Sequence, residues 1–273
     1  MSQAAAFEAQ GSAAAFDRMA GSYDAAFTDS AIGRAQRAVV WDALKQAFRS
    51  RDRVLELNCG TGEDALFLAR LGVSVMACDA SAGMIEVAQH RKSLQLPNAS
   101  VEFRVLRNED LAMLRTTAGF DGALSNFSGL NCVADPCQVA TYLGNLVKPG
   151  GTALICVSTR ICLWEIAWYG LRANFKKAFR RISGRTVATL DGISVSVWYP
   201  TIRQMRRAFS PGFRLCSIRA VGLFVPPSYA ESWASRHRRT LAILQRVDRI
   251  LARWPLLRAI GDHVLLEFER VRP

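Results

Sequence analysis

No apolar run in this 273-residue sequence approaches the roughly 20 residues that a bilayer-spanning helix needs, although half of the chain is hydrophobic. That argues against helical membrane spans. Residues 1–15 are Ala-rich, include Glu8, and lack the basic start and long apolar stretch of a secretory signal, so a cytoplasmic location is expected. The seven cysteines (59, 78, 132, 137, 156, 162 and 216) never adopt CxxC spacing. They read as reduced, small core residues, and no metal site is expected. Histidine is scarce, with only His90, His237 and His263. Acidic residues are scarce in one half only. Residues 1–150 hold 14 basic and 16 acidic side chains, whereas residues 151–273 hold 21 and 7, so the net charge of +12 belongs wholly to the second half. Such asymmetry suits an anionic partner or a set of solvated arginine-rich helix faces.

The patterning that is present alternates between two periods. Residues 13–49 carry apolar positions at helical spacing. The run 54–57 is a short buried strand that stops at Asn58-Cys59-Gly60-Thr61-Gly62. A helix ending at Gly72, a strand over 73–78, a helix over 82–94 and a strand over 101–106 follow. Further strands are expected over 120–125 and 152–157, with a helix over 137–147 between them. Strands alternating with helices at this spacing predict an α/β, doubly wound sheet. After residue 159 the rhythm breaks. An aromatic-rich helical stretch covers 161–179, and Asp191-Gly192 between two β-prone runs predicts a hairpin. A helix over 201–209, strands over 213–218 and 264–268, and a basic helical region over 229–253 complete the reading. The division expected is cap helices (1–52), a ligand-binding core (53–160), a lid insert (161–200) and the rest of the core with a basic insert (201–273). No internal repeat or low-complexity linker interrupts it.

In a doubly wound sheet, ligands bind beyond the carboxyl ends of the central strands, where the strand order reverses. Gly60 and Gly62 permit positive φ and close approach of backbone N–H groups to a ligand. Asp79 ends the second strand, where a carboxylate accepts hydrogen bonds from both hydroxyls of a ribose; the alternative is a helix cap. The dehydrogenase spacing GxGxxG is absent.

Three motifs together resemble the class I S-adenosylmethionine-dependent methyltransferases. They are Val54-Leu55-Glu56-Leu57-Asn58-Cys59-Gly60-Thr61-Gly62-Glu63, Cys78-Asp79-Ala80-Ser81-Ala82-Gly83-Met84-Ile85, and Lys148-Pro149-Gly150-Gly151. The resemblance covers residues 13–160 and, more loosely, the strands near 213 and 264. It implies a Rossmann-like, mostly parallel seven-stranded sheet with the last strand antiparallel, N-terminal helices and a lid, and S-adenosylmethionine as cofactor. It also implies that Glu56 holds the amino group of the cofactor's methionine, and that backbone at Asn58, Cys59, Gly60 and Gly62 lines that methionine. Asp79 would hold the ribose, with Ala80 and Met84 beside the adenine; Met84 also reads as an ordinary core side chain. The sequence departs from the pattern twice. Asn58 replaces a customary glycine, which asparagine tolerates because it adopts left-handed backbone. Arg107 stands where an acidic residue often receives the adenine amino group, so Asn108 or backbone at Leu106 and Arg107 takes that contact.

Methyl transfer needs mainly positioning of the acceptor, and a base only where the nucleophile must lose a proton. The fourth strand ends in Ser125-Asn126-Phe127-Ser128-Gly129-Leu130-Asn131-Cys132, expected to face the methyl group. Ser125 is placed with the cofactor contacts, and Asn126 and Asn131 with the catalytic group. Tyr23, in a segment similar to the start of many small-molecule methyltransferases, is the candidate to close over the site. Trp164, Trp168, Tyr169 and Phe175 suggest a lipophilic or aromatic small-molecule acceptor, possible anionic character included, while the adjacent cations suit peripheral membrane contact. The competing readings are an RNA or protein methyltransferase using the basic half, and a non-catalytic S-adenosylmethionine-binding protein. Nucleic acid is disfavoured because no recognisable RNA-binding module is present. Oligomeric state is not legible.

Overall fold

Runs rich in Val, Leu, Ala and Cys become strands, and the two at the centre of the sheet, 53–57 and 120–125, are buried at nearly every position, as coverage on both faces requires. β1 (Arg53–Leu57), β2 (Ser74–Asp79), β3 (Val101–Val105), β4 (Phe120–Ser125) and β5 (Val147–Val157) pair in parallel, and β8 (Phe213–Val221) and β9 (His263–Arg270) extend the sheet. The order is β3-β2-β1-β4-β5-β9-β8, with β9 antiparallel to both of its neighbours. This is the doubly wound, Rossmann-like architecture with an antiparallel last strand. The computed structural model describes residues 3–114 and 118–271, with side chains from residue 11 onward.

Successive strand residues point to opposite faces. Val54, Ala77, Leu124 and Leu154 join a core beneath α2 (Ala31–Ala47), α3 (Glu63–Arg70) and α4 (Ala82–Gln95). Leu55, Cys78, Ala123 and Ala153 join the opposite core beneath α5 (Pro136–Leu146) and α8 (Ile202–Phe209). Capping residues set the helix starts: Ser30, Ser81, Asp135 and Thr201 each accept a backbone N–H of the first turn.

Four local readings change. The helical stretch 13–49 is broken: α1 (Gln3–Tyr23) passes into a π-turn (Asp24–Thr28) before Ser30 starts α2. The stretch 161–179 splits into α6 (Leu163–Gly170) and the single-turn α7 (Phe175–Ala178), because Ala173 takes a left-handed φ of 54° between them. The basic region 229–253 divides into α9 (Glu231–Arg236) and α10 (Arg238–Leu251), with Glu231 reaching back to accept the Ala31 and Ile32 N–H groups at 2.8 and 3.0 Å. All seven cysteines are free, but Cys137 and Cys216 lie on the surface rather than in the core. The hairpin forms as β6 (Arg185–Leu190) and β7 (Ile193–Trp198); Asp191 (φ 45°) and Gly192 (φ 79°) supply the two positive φ values its turn requires.

Candidate active site

The cleft opens where β1 turns towards β2 on one side and β4 lies on the other, the point at which the strand order reverses. Asn58 (φ 55°), Gly60 (φ 53°) and Gly62 (φ 77°) all adopt left-handed backbone in the turn after β1. The two glycines serve different ends. A Cβ on Gly62 would lie 2.7 Å from Phe103 Cζ, whereas a Cβ on Gly60 would meet nothing within 4 Å, because Gly60 lines the open cavity. Asn58 is accommodated by a second small residue: a Cβ on Gly129 would lie 2.3 Å from Asn58 Cβ. The Asn58 amide oxygen accepts from Ser125 Oγ at 3.2 Å.

Asp79 ties this turn to the next one. One carboxylate oxygen accepts from Gly60 N at 2.9 Å and the other from Ser81 N at 2.9 Å. Burial raises its pKa against the opposing pull of those N–H groups. Ala80, Met84, Arg107 and Asn108 line the cavity beside it. Arg107 is held by Asp110 at 2.6 Å, so its charge is turned to a neighbour on its own short helix.

A buried polar group forms the cavity's other wall. Asp64, in the first turn of α3, accepts from Arg37 Nη1 (2.7 Å), Trp41 Nε1 (2.6 Å) and Asn126 Nδ2 (2.8 Å). The Arg37 guanidinium lies 5.0 Å from the Phe127 ring centroid and 5.8 Å from that of Phe27. Its Nε is buried with no partner, as are Thr28 Oγ1 and Glu56 Oε2. Glu56 is 1 % exposed, and its pKa stands well above the ordinary carboxylate range because burial and then the charge of Asp64 outweigh Arg37. An unpartnered acceptor and an unpartnered cationic donor within one electrostatically coupled group are complementary to a ligand carrying both an ammonium and a carboxylate.

The N-terminal segment closes over this floor. Asp17 Oδ1 accepts from Ser81 Oγ (2.6 Å) and Gly83 N (2.9 Å), fastening α1 to the start of α4. Asp24 accepts from Thr61 Oγ1 at 2.6 Å, and Arg91 bridges Asp24 and Glu63. The whole cavity holds about 260 Å³, and its end between α1 and the β6–β7 hairpin is apolar, lined by Phe16, Val133, Leu190, Val195 and Val197. Tyr23 lines the same space; burial pushes its pKa up to about 12 against the pull of Arg37.

The structure therefore brings Tyr23, Asn58, Cys59, Gly60, Asp79, Ala80, Met84, Arg107, Asn108, Asn126 and Asn131 onto one cavity. Glu56, Gly62 and Ser125 stand behind its lining. Asn126 and Asn131 have committed amides. Asn126 donates to Asp64 and accepts from Phe127 N at 2.9 Å. Asn131 donates to Ser158 O (2.8 Å) and Trp198 O (2.5 Å) and accepts from Ser158 N (3.0 Å), clamping the end of β5 to the hairpin. His263 is partly buried and lies edge-on to Phe127, which lines the cavity. Arg37, Thr28 and Asp64 were not singled out from the sequence. The available signal was Arg37 itself: with Gly33, Val40 and Leu44 it falls on the buried side of α2, where a cation must find a partner.

Residues 54–151 match the family model described as a methyltransferase domain. The chain is 33% identical over 143 residues to a demethylmenaquinone methyltransferase of Clavibacter sepedonicus, a match covering 52% of this chain and 56% of that protein. It is 35% identical over 108 residues to a ubiquinone biosynthesis O-methyltransferase of Xanthomonas campestris pv. campestris, covering 40% and 44% respectively. The chain thus spans about half the length of these curated relatives. The crystal structure of an S-adenosylmethionine-dependent methyltransferase of Methanosarcina mazei shares the fold at a TM-score of 0.58 and 16% identity, over 85% of this chain and 98% of that one. Residues 54–151 thus form a methyltransferase domain, and the chain around them shares the fold of an S-adenosylmethionine-dependent methyltransferase.

Proposed function

We propose that this protein is an S-adenosylmethionine-dependent methyltransferase acting on a small, lipophilic or aromatic acceptor. The observation that carries the reading is the pair of unpartnered buried groups, Glu56 Oε2 and Arg37 Nε, beside the Asn58–Gly62 turn. Glu56 would hold the ammonium and Arg37 the carboxylate of the cofactor's methionine, Asp79 the ribose, and Ala80, Met84 and Asn108 the adenine. When bound, S-adenosylmethionine supplies an electrophilic methyl group: the acceptor's lone pair makes the new bond and the C–S electron pair stays on sulfur. Asn126 and Asn131 act as positioning residues, since their amides already hold Asp64, Phe127, β5 and the hairpin. The apolar space between α1 and the hairpin suits a flat, lipophilic acceptor, and the names of the two relatives support a quinone-like ring. Trp168 and Tyr169 pack against Tyr229 instead of presenting an open stacking platform, which leaves the RNA reading without support from them. Calorimetry with S-adenosylmethionine and its demethylated product tests the cofactor. Methyl transfer to a panel of hydroxylated quinols tests the acceptor. Tight cofactor binding with silence across the panel would sink the acceptor class and favour a non-catalytic binding protein.

Glu56 makes the cofactor step pH-dependent. Its raised pKa means that the folded chain holds a proton the unfolded chain has lost. Its contribution to stability is therefore complete below the ordinary glutamate range and is lost as pH rises through the folded pKa. A bound ammonium favours the carboxylate, so binding at lower pH must release a proton, and affinity must rise with pH. Calorimetry in two buffers of different ionisation enthalpy should detect that proton, and Glu56→Gln should abolish it. Equal proton release by the variant would remove Glu56 from this role.

Tyr23, with its pKa near 12, keeps its proton around neutrality and serves as a hydrogen-bond donor rather than a base. Tyr23→Phe is expected to lower turnover by about tenfold, the worth of one hydrogen bond, without changing the shape of the pH–rate profile near neutrality. Loss of a limb of that profile would instead make Tyr23 a proton acceptor.

A further inference from the structure

The cations and the exposed apolar side chains of the second half share two surface segments, 161–182 and 243–260. The segments meet at the start of α6, where Leu163 N donates to Ile260 O at 3.1 Å and Thr159 Oγ1 to Ala259 O at 3.4 Å. Leu171 is 89% exposed, Phe175 62%, Ile250 78%, Trp254 53% and Leu256 82%. Water-facing apolar groups of this size, gathered in two adjoining segments, mark an interaction surface.

Within the two segments the exposed charge has one sign, and the carboxylate that meets it from outside, Asp42 of α2, pairs with Arg249 at 2.8 Å. The first segment contains a single carboxylate, Glu165, which is buried against Arg180 and Arg181. The second also contains a single carboxylate, Asp248, which is buried and accepts from Phe224 N at 2.6 Å and Val225 N at 3.2 Å. Neither is available to balance the exposed Arg172, Lys176, Lys177, Arg246 and Arg253. Long cationic side chains beside aliphatic tips are what a headgroup–acyl boundary accommodates: the tips enter the apolar layer and the charges stay among anionic headgroups. The three most exposed members, Leu171, Leu256 and Ile250, are aliphatic and offer no face on which a nucleobase stacks; Phe175 and Trp254 have ring faces but are less exposed, so a nucleic acid fits this surface less well. No helix among the described residues is long and apolar enough to cross a membrane, so the contact is peripheral.

We propose that residues 161–182 and 243–260 form one docking face for an anionic lipid surface. The face leads into the hairpin that lines the cavity, since a single turn, Arg180–Ser183, joins α7 to β6. The inference stands on surface chemistry and does not depend on the methyl-transfer reading.

The test is co-sedimentation of the full chain with phosphatidylcholine vesicles, with and without phosphatidylglycerol, at low and high salt. Binding is expected to the phosphatidylglycerol vesicles, weakened about tenfold on phosphatidylcholine alone and by high salt. The double variant Leu171→Glu and Leu256→Glu should lose at least about tenfold in partitioning. It should melt and bind S-adenosylmethionine as the parent does, because both side chains project into water. Absence of binding to either vesicle, equal binding to both, or full binding by the double variant would overturn the proposal. So would a polyuridylate ligand that displaces the protein from vesicles, or a dimer in sedimentation velocity that the double variant abolishes. The first would assign the face to nucleic acid, the second to another copy of this chain.

Discussion

Asp79→Ala is expected to weaken S-adenosylmethionine binding by about 3 kcal/mol, roughly 150-fold, and to lower the melting temperature by about 5 °C. The binding loss follows from removing the charged acceptor proposed for the ribose hydroxyls, hydrogen bonds to charged groups being the stronger class. The stability loss has a separate origin. Asp79 accepts from Gly60 N and Ser81 N, and so joins the turn after β1 to the start of α4. Alanine leaves both donors without that partner. Titration calorimetry reads the first effect and thermal unfolding the second. Asp79→Asn separates them further: it keeps one acceptor oxygen but sets an NH₂ group against one of the two backbone donors, so it should fall between parent and alanine in both measurements. An alanine variant with unchanged cofactor affinity would show that the carboxylate serves only the two turns.

Gly62→Ala should cost about 3 kcal/mol of folding stability, the sum of a left-handed backbone penalty and overpacking in a filled core. The new Cβ would lie 2.7 Å from Phe103 Cζ and 2.9 Å from Ala88 Cβ, so β3 and α4 would have to move apart at the point where they meet the turn. Gly60→Ala is the matched contrast. Its backbone is also left-handed, at φ 53°, but its Cβ would enter open space on the cavity side. That variant should unfold within about 1 kcal/mol of the parent, by the left-handed penalty alone, and still lose cofactor affinity because the methyl group occupies ligand space. Paired melting and binding measurements on the two variants therefore diverge. If both lost stability equally and bound equally, the assignment of Gly62 to packing and Gly60 to the ligand surface would be wrong.

The parts of the site that were legible in sequence are those whose geometry is made within a few residues. Gly60 and Gly62 announce a turn because only positive φ or close approach rewards glycine there. Ser81 announces a helix start because its side chain must satisfy the Met84 N–H. Asp191-Gly192 announces a hairpin by the same local logic. Interruptions of a helix that carry no strong breaker leave no such local mark. The π-turn at Asp24–Thr28 contains no glycine or proline, and Ala173 adopts φ 54° between α6 and α7 without a residue type that favours it. Asn126 and Asn131 illustrate a different limit. Both follow β4 in the chain, but their partners come from α3, from the residue after β5 and from β7, so sequence order could not reveal that their hydrogen bonds are already taken.

The sequence by itself determined the sheet class, the turn after β1 and the carboxylate at the end of β2, because hydrophobic period, glycine φ and motif spacing are local properties of the chain. Only the tertiary structure decided what surrounds that turn. Arg37 meets Asp64 across 27 positions of sequence, Asp17 meets Ser81 across 64, and Asn131 meets Trp198 across 67. A buried charge or amide is stable only with a partner, and which partner it finds depends on how helices and hairpin pack over the sheet. The unpartnered Glu56 and Arg37 atoms emerge from that same packing, which leaves the turn with polar groups whose complement the chain itself does not supply.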